Sequence, residues 1–418
     1  MAIISKLGMG EPPKESLNWK LGVAVLCFGL LGASRGIDEG LIGGTVQQKS
    51  FIMRYGLSPS ERADRLGNIT SMVQIGSIGG ALIAFYITDH IGRIWATWQL
   101  CLGWIAGIAI YECKWQARSV IGPTYLAEIS PPAIRSLCTC AFSGAVYLAI
   151  VVAYFANWRS SLHSVTGRKM NGLFQTSIHI IFAGLILLLS LVIKESPRYL
   201  IKVGKDAMVA IRNLPAEHSY IQTEMREIYE QLKREQEVVI GTTWFSTLRE
   251  LLLVPSNRYC IMLGLMPQVL SQWSGATSIT IYAPEFFAML GTTGQSEKLL
   301  VTAMFGIVKL VASLVCALFL VDSLGRKRAL SYGITLQLLR MLYVAIYLAV
   351  IPSIRSRPKL SRASKSAGTA AIVSIYVSGV GWALGWNSVQ YLIGAEIFPL
   401  RVRASAVSLI MCFHFVNQ

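Results

Sequence analysis

Asp89-His-Ile-Gly92-Arg93 returns as Asp322-Ser-Leu-Gly325-Arg326, and Ala127-Glu128-Ile129-Ser-Pro131-Pro-Ala-Ile-Arg135 returns as Ala395-Glu396-Ile397-Phe-Pro399-Leu-Arg-Val-Arg403. The two pairs stand in the same order, each copy at the end of an apolar run. Gly92 and Gly325 permit the sharp turn that a short loop between helices demands. The flanking Asp, Glu and Arg residues can pair across helix ends. Two motif pairs in one order predict an internal duplication, with two helical halves built to one plan.

Both halves are unusually apolar. Hydrophobic residues make up 53% of the 418 and charged residues 14%, with a mean hydropathy of +0.52; soluble domains carry about 25% charged residues. This excludes a disordered chain, a disulfide-stapled secreted domain and an ordinary cytosolic enzyme. An all-α polytopic membrane protein remains. The net charge of +16 comes from 38 Lys and Arg against 22 Asp and Glu. Those basic residues fall mostly between apolar runs, where they hold loops on the cytoplasmic side of a lipid bilayer, so no nucleic-acid partner is expected. Of the eight cysteines, most lie in or beside apolar runs as small hydrophobes. Cys138-x-Cys140 has neither the spacing nor the partner pair of a zinc site. No metal site and no cofactor are expected, nor a cleavable signal, since residues 1–18 are polar and no small-residue cleavage site follows the first apolar run.

A membrane-crossing helix needs about 20 mostly apolar residues. Such runs cover 21–45, 66–88, 94–111, 136–158, 171–193, 259–284, 299–321, 329–351 and 368–394, and 404–418 begins another. The predicted organisation is a cytoplasmic tail 1–18, an N-terminal bundle 19–194, a basic cytoplasmic linker 195–257 and a C-terminal bundle 258–418. Within the linker, Ile221, Met225, Ile228 and Leu232 recur at helical spacing, which predicts amphipathic helices under the membrane face.

The two copies of the repeat are unequally spaced. Asp322 to Ala395 is 73 residues, enough for two crossings and a loop, whereas Asp89 to Ala127 is 38. Only one convincing crossing fits the shorter interval, so the first half is expected to be about one helix short. Losing one crossing reverses the sidedness of everything after it, unless the charged remnant is forced through with local thinning or tilt.

With these motifs in view, the chain resembles the sugar porter branch of the major facilitator superfamily, most closely its fungal quinate and sugar permeases. The resemblance rests on Gly36-Ile-Asp38-Glu-Gly-Leu-Ile-Gly43, the two Asp-x-x-Gly-Arg loops and Pro123-Thr-Tyr125-Leu-Ala-Glu128. Glu195-Ser-Pro197-Arg198, Gln272-Trp-Ser-Gly275 running to Tyr282-Ala-Pro284, and Ala395-Glu-Ile-Phe-Pro399-Leu-Arg401 complete it. It implies two six-helix halves rocking about a central polyol site, here lacking the fourth helix and stopping inside the eleventh. It implies a multi-pass protein of the plasma membrane with a cytoplasmic N-terminus. Substrate-facing residues would be Gln272, Thr277 and Tyr282 from the seventh family helix, Thr277 standing where most sugar porters have Asn. Trp386, Asn387 and Tyr391 would join them from the tenth. Gating residues would be Asp89, Gly92, Arg93, Glu128, Arg135, Glu195, Arg198, Asp322, Gly325, Arg326, Glu396 and Arg403.

Polar groups inside a span are costly and tend to face a cavity or a neighbouring helix. For Gln272 and Asn387 a substrate role stands beside interhelical hydrogen bonding, and for Tyr282 and Trp386 beside ordinary packing. Asp38 is the candidate for proton coupling. In proton-coupled relatives the matching Asp works with an Arg of the fourth helix, and Arg35 is a candidate replacement one turn away. His179 and His414 read as core histidines. Lys309 and Arg340 are expected either to face the bundle interior or to run along its surface, with no transport role. There is no Gly-rich nucleotide loop, no HExxH and no Gly-x-Ser-x-Gly elbow, so no covalent chemistry is expected. The expectation is a transporter for quinate or a sugar-like polyol, working as a proton-coupled symporter by alternating access. The alternatives are a non-transporting nutrient sensor of the same fold and a non-functional truncated product.

Overall fold

A computed structural model describes residues 18–46, 71–80, 91–110, 135–163, 170–196, 251–350 except 293, 362–387 and 400–417, with scattered positions between them. Among the described residues there is no strand. The helices are α1 (Trp19–Val46), α2 (Arg93–Ile110), α3 (Arg135–His163), α4 (Met170–Ser190), α5 (Pro255–Trp273), α6 (Ala276–Ile281), α7 (Ala283–Met289), α8 (Gln295–Val315), α9 (Arg326–Val350), α10 (Arg362–Trp382) and α11 (Leu400–Val416). Residues 71–80 are helical as well. Each predicted run with a described counterpart is a helix, except that 259–284 is broken into three.

That break has a local cause. Gly275 adopts φ +75°, a left-handed conformation that stops α5 and starts α6. Tyr282 then leaves helical geometry before Pro284 opens α7. The repeat is visible in the backbone too: Gly92 and Gly325 both have positive φ, +100° and +76°, immediately before α2 and α9.

Two apolar cores divide the chain. The first joins α1, α2, α3 and α4, and includes Tyr125, Leu126 and Ile129 from the remnant of the short interval. Tyr125 stacks on Phe28 at 3.7 Å and donates to the Lys194 carbonyl at 2.7 Å. Residues 111–124, on which the expected loss of a crossing turns, lie outside the described residues. The second core joins α6, α7, α8, α9 and α10. A third cluster, with Tyr147, Ile150 and Tyr154 of α3 against Ala276, Ala303, Trp382 and Trp386, bridges them.

The α1–α3 contact is the most extensive in the molecule. It runs along Gly32, Gly36, Gly40 and Gly44, one per helical turn, which press against Phe142, Val146, Ala153 and Asn157. A Cβ at any of these four would collide with α3, and Asn157 instead donates to the Gly40 carbonyl at 3.0 Å. Small residues at this spacing let helix backbones meet where lipid supplies no hydrophobic drive.

Among the described residues, five helical stretches are long and apolar enough to cross a membrane: Trp19–Thr45, Ala141–Leu162, Gln295–Leu320, Lys327–Val350 and Ser366–Asn387. Ser177–Ser190 and Ala406–Val416 are shorter apolar helices. Large apolar side chains such as Leu338, Leu339, Leu342 and Ile346 on α9 stay exposed on the outside, the inverse of a soluble protein. Arg340 is also exposed there, while Lys309 is buried in the interior. In the linker, Ile221, Met225 and Ile228 form the predicted apolar stripe, and Arg226 pairs with Glu230 at 2.9 Å; Leu232 lies outside the described residues.

Candidate functional site

Between the two cores lies a cavity of about 30 Å³, walled by α1, α3, α6, α8 and α10. That is room for a water or two among the described residues. Its walls are mixed. Tyr147, Val146, Ala276 and Trp382 are the apolar and aromatic part, while Ser143, Thr277, Thr280, Asn387 and Gln390 supply hydroxyls and amides. Arg35, Glu39 and Lys309 bring charge.

Two breaks in regular helix aim these groups. The Gly275 turn carries Thr277 and Thr280 on the short α6. A π-helical turn, Ala383–Asn387, follows α10 and sets Trp386 and Asn387 inward, both buried. Such π turns cluster at functional sites because one extra residue re-aims the side chains after it.

Of the predicted substrate-facing residues, Thr277 and Asn387 reach the cavity wall. Gln272 stands directly behind: Thr277 Oγ1 donates to Gln272 Oε1 at 3.0 Å. Asn387 Nδ2 donates to Ser313 Oγ at 2.9 Å. Trp386 is packed in the bridging cluster, its indole Nε1 without a hydrogen-bond partner among the described residues. Tyr282 sits half-buried at the α6–α7 junction rather than on the wall. Tyr391 lies outside the described residues.

The charged groups form two separate arrangements. In the first, Arg35 Nε holds Glu39 Oε1 at 2.7 Å, one turn along α1. Arg35 Nη2 also lies 3.3 Å from His414 Nε2, and Gln272 Nε2 lies 3.1 and 3.2 Å from the two ring nitrogens of His414. A polar line thus runs Glu39–Arg35–His414–Gln272–Thr277, from α1 through α11 to the broken seventh family position. In the second, Asp38 Oδ1 is 3.7 Å from His179 Nδ1 on α4, with the Trp104 indole edge-on to the imidazole at 5.8 Å. Asp38 is not on the cavity wall. Glu39, its neighbour, is.

Sequence reading missed several of these. Glu39 had a signal, the i, i+4 spacing to Arg35. Lys309, assigned no role, lines the cavity, and His414, read as a core histidine, links two halves of the polar line. Gln390 and Thr280 carried no signal beyond being polar in an apolar run.

Among the gating residues, Glu195 is the clearest. Its carboxylate accepts from the backbone N–H of Arg93 at 3.0 Å and of Ile94 at 2.8 Å, capping the first turn of α2. Arg93 in turn lies over the Tyr199 ring at 5.6 Å. A Cβ on Gly92 would stand 2.7 Å from Glu195 Oε1, so a side chain here would push the capping carboxylate aside besides straining φ. Gly325 holds the matching corner of the second half, its carbonyl accepting from Ala329 N–H at 3.0 Å. Asp89, Glu128, Arg198 and Glu396 lie outside the described residues. Arg135, Asp322, Arg326 and Arg403 lie on helical backbone, with their side chains outside the description.

A family model described as "Sugar (and other) transporter" matches residues 24–117 and 95–418. The two matches share 95–117, inside the interval where the repeat runs short. The chain is 27% identical over 430 residues to a quinate permease of Emericella nidulans, covering 97% of this chain and 80% of that one. It is 28% identical over 422 residues to a quinate permease of Neurospora africana, covering 94% and 78%. Among solved structures, the proton:xylose symporter XylE bound to 6-bromo-6-deoxy-D-glucose, a major facilitator superfamily protein, superposes with a TM-score of 0.76 at 20% identity, over 95% of this chain and 86% of that one. A partially occluded inward-open conformation of XylE from E. coli gives 0.73 at 21% identity, over 96% and 90%. The superpositions establish the fold as that of the facilitator: all-α, with two pseudo-symmetric bundles and a cavity at their seam.

Proposed function

We propose, starting from the fact that this chain belongs to the sugar transporter family, that it moves quinate or a sugar-like polyol by alternating access, coupled to protons. A multi-pass membrane transporter of sugar type is the established part. The observation that carries the finer reading is the cavity at the seam, where hydroxyl and amide groups of Thr277, Thr280, Asn387 and Gln390 face an aromatic wall. Ring polyols are recognised that way: amides and hydroxyls take the hydroxyl groups, and an aromatic face takes the apolar side of the ring.

A cavity this small requires the halves to part before a ring can enter. The two apolar cores, one in each half, are the bodies that would rock, with bundles over 19–194 and 258–418 joined by the linker 195–257. The Gly275 and Tyr282 breaks let α6 and α7 swing independently of α5. The N-terminus is cytoplasmic and the membrane the plasma membrane in this reading, as the resemblance to nutrient permeases implies, and the basic linker lies on the same side as the N-terminus when the short interval after Asp89 still makes its second crossing.

Proton coupling is assigned to Asp38 with His179 as its partner. A buried carboxylate beside an imidazole can exchange a proton between them, and a change of charge at α1 against α4 biases how the first half packs. The relatives named as quinate permeases support the cargo, and the xylose–proton symporter supports the coupling.

The test is uptake of radiolabelled quinate and glucose by yeast cells lacking their own transporters, with and without a protonophore. Accumulation of either compound that the protonophore abolishes supports the reading. Accumulation insensitive to it removes the proton, and a protein that reaches the surface and binds but carries nothing removes transport.

A further inference from the structure

Lys309 is a group of the cavity wall whose chemistry the polyol reading leaves unused. It sits on α8, 4% exposed, with its ammonium inside the protein rather than at a membrane surface. Nζ donates to Thr280 Oγ1 at 2.8 Å and lies over the rings of Tyr147 and Phe305, at 5.1 and 5.4 Å from their centroids. Thr280 Oγ1 passes its own proton to the Ala276 carbonyl at 2.8 Å. An ammonium has three donors, and Thr280 accepts one. Among the described residues no carboxylate comes within 4.0 Å of it.

An ammonium kept out of water without a counter-ion is costly, and such a group in a membrane protein usually marks a ligand path. Glu39 attracts both cations of the wall, but its direct contact is with Arg35 at 2.7 Å, and it acts on the ammonium only from beyond ion-pair distance. The wall therefore carries two cations and one carboxylate, a surplus of one positive charge, and Lys309 is the cation without a carboxylate in direct contact. Beside it, Gln390 Oε1 is buried without a hydrogen-bond partner among the described residues, an acceptor left for a hydroxyl. A neutral sugar would satisfy the amides and leave the ammonium as it is.

We infer that Lys309 is the counter-ion for an anionic group on the cargo, so that the cavity selects a polyol bearing one carboxylate over an uncharged ring. This rests on the transporter reading for its site, and adds the charge class of the substrate and the residue that sets it. The carboxylate replaces the missing partner at Nζ, while the hydroxyls meet Asn387, Thr277 and Gln390.

The test compares quinate with its methyl ester, the same ring without the charge. Binding to the purified full-length protein is read by titration calorimetry, and competition against labelled quinate is read in cells. Wild type is expected to bind quinate at least about tenfold more tightly than the ester, the worth of one charge-assisted hydrogen bond. Lys309→Met is expected to lose at least about tenfold for quinate with the ester unchanged, and Lys309→Arg to keep most of the preference. Equal binding of quinate and ester by wild type overturns the inference, and needs no variant to fold. Unchanged quinate affinity in Lys309→Met overturns it as well. Selective quinate binding without flux supports Lys309 while removing the transport reading. Flux of glucose that neither quinate nor the substitution affects does the reverse.

Discussion

Replacing Gly43 by alanine should shift a conformational balance without unfolding the protein. Gly43 faces Ile281, at the end of α6, where a methyl carbon would stand 2.9 Å from the carbonyl carbon and closer still to its oxygen. Ordinary contact starts at 3.4 Å, so the helices must part by more than about 0.5 Å. Both sides are backbone, and no flexible side chain can yield. Since α1 belongs to the first core and α6 to the second, the strain falls on the seam between the halves. Overfilling a tight contact costs about 1–3 kcal/mol, which is roughly 5- to 150-fold on the balance between closed and open at that seam. Gly36→Ala is the control. Its methyl would meet the Val146 carbonyl and stand 2.9 Å from Ala149 Cβ, a clash inside one half that both states share. Hydrogen exchange followed by mass spectrometry reads the difference. Gly43→Ala should speed exchange in peptides covering 276–289 with little change in melting temperature. Gly36→Ala should lower the melting temperature and speed exchange along 135–163. If Gly43→Ala melts like Gly36→Ala with no local change at 276–289, the seam does not open there and the reasoning fails.

Glu195→Ala should cost about 1 kcal/mol by uncapping α2, seen as a lower melting temperature, with Glu195→Gln recovering part because it still accepts. Gly275→Ala places a side chain at φ +75° with nothing within 4 Å of the new Cβ. Its cost of about 1–2 kcal/mol is therefore backbone strain alone, and D-alanine introduced there by semisynthesis should be free of it. Asp38→Asn should abolish accumulation against a gradient while leaving exchange of labelled for unlabelled substrate intact. Loss of both processes to the same degree would assign Asp38 a structural role instead.

The membrane class and the helix runs were readable because they rest on composition and length, which tertiary packing cannot reverse. The duplication was readable because a tight turn restricts residue choice, and the positive φ at Gly92 and Gly325 is the same restriction seen in the backbone. What the sequence concealed was direction. Lys309 and Arg340 look alike, each a lone cation in an apolar run, yet one lines the cavity and the other faces outward. When every neighbour is apolar, periodicity cannot say which side of a helix meets lipid and which meets a cavity. The break at Ser274–Gly275 was hidden for a related reason: residues 259–284 are apolar enough for one span, and nothing in hydropathy marks a left-handed glycine. Asp38 and Glu39 are adjacent, so helical geometry had to send them to different surroundings, but which one would reach the cavity depended on where α3 and α4 pack.

The glycine ladder on α1 has a mechanical corollary. Two main chains in direct apposition, with no long side chains between them as cushions, cannot slide by exchanging rotamers, so α1 and α3 must travel as a single girder. Motion in that half is then rigid displacement of the girder, and the pliable parts of the machine are left to the other half, at the kinks beside Gly275 and Tyr282.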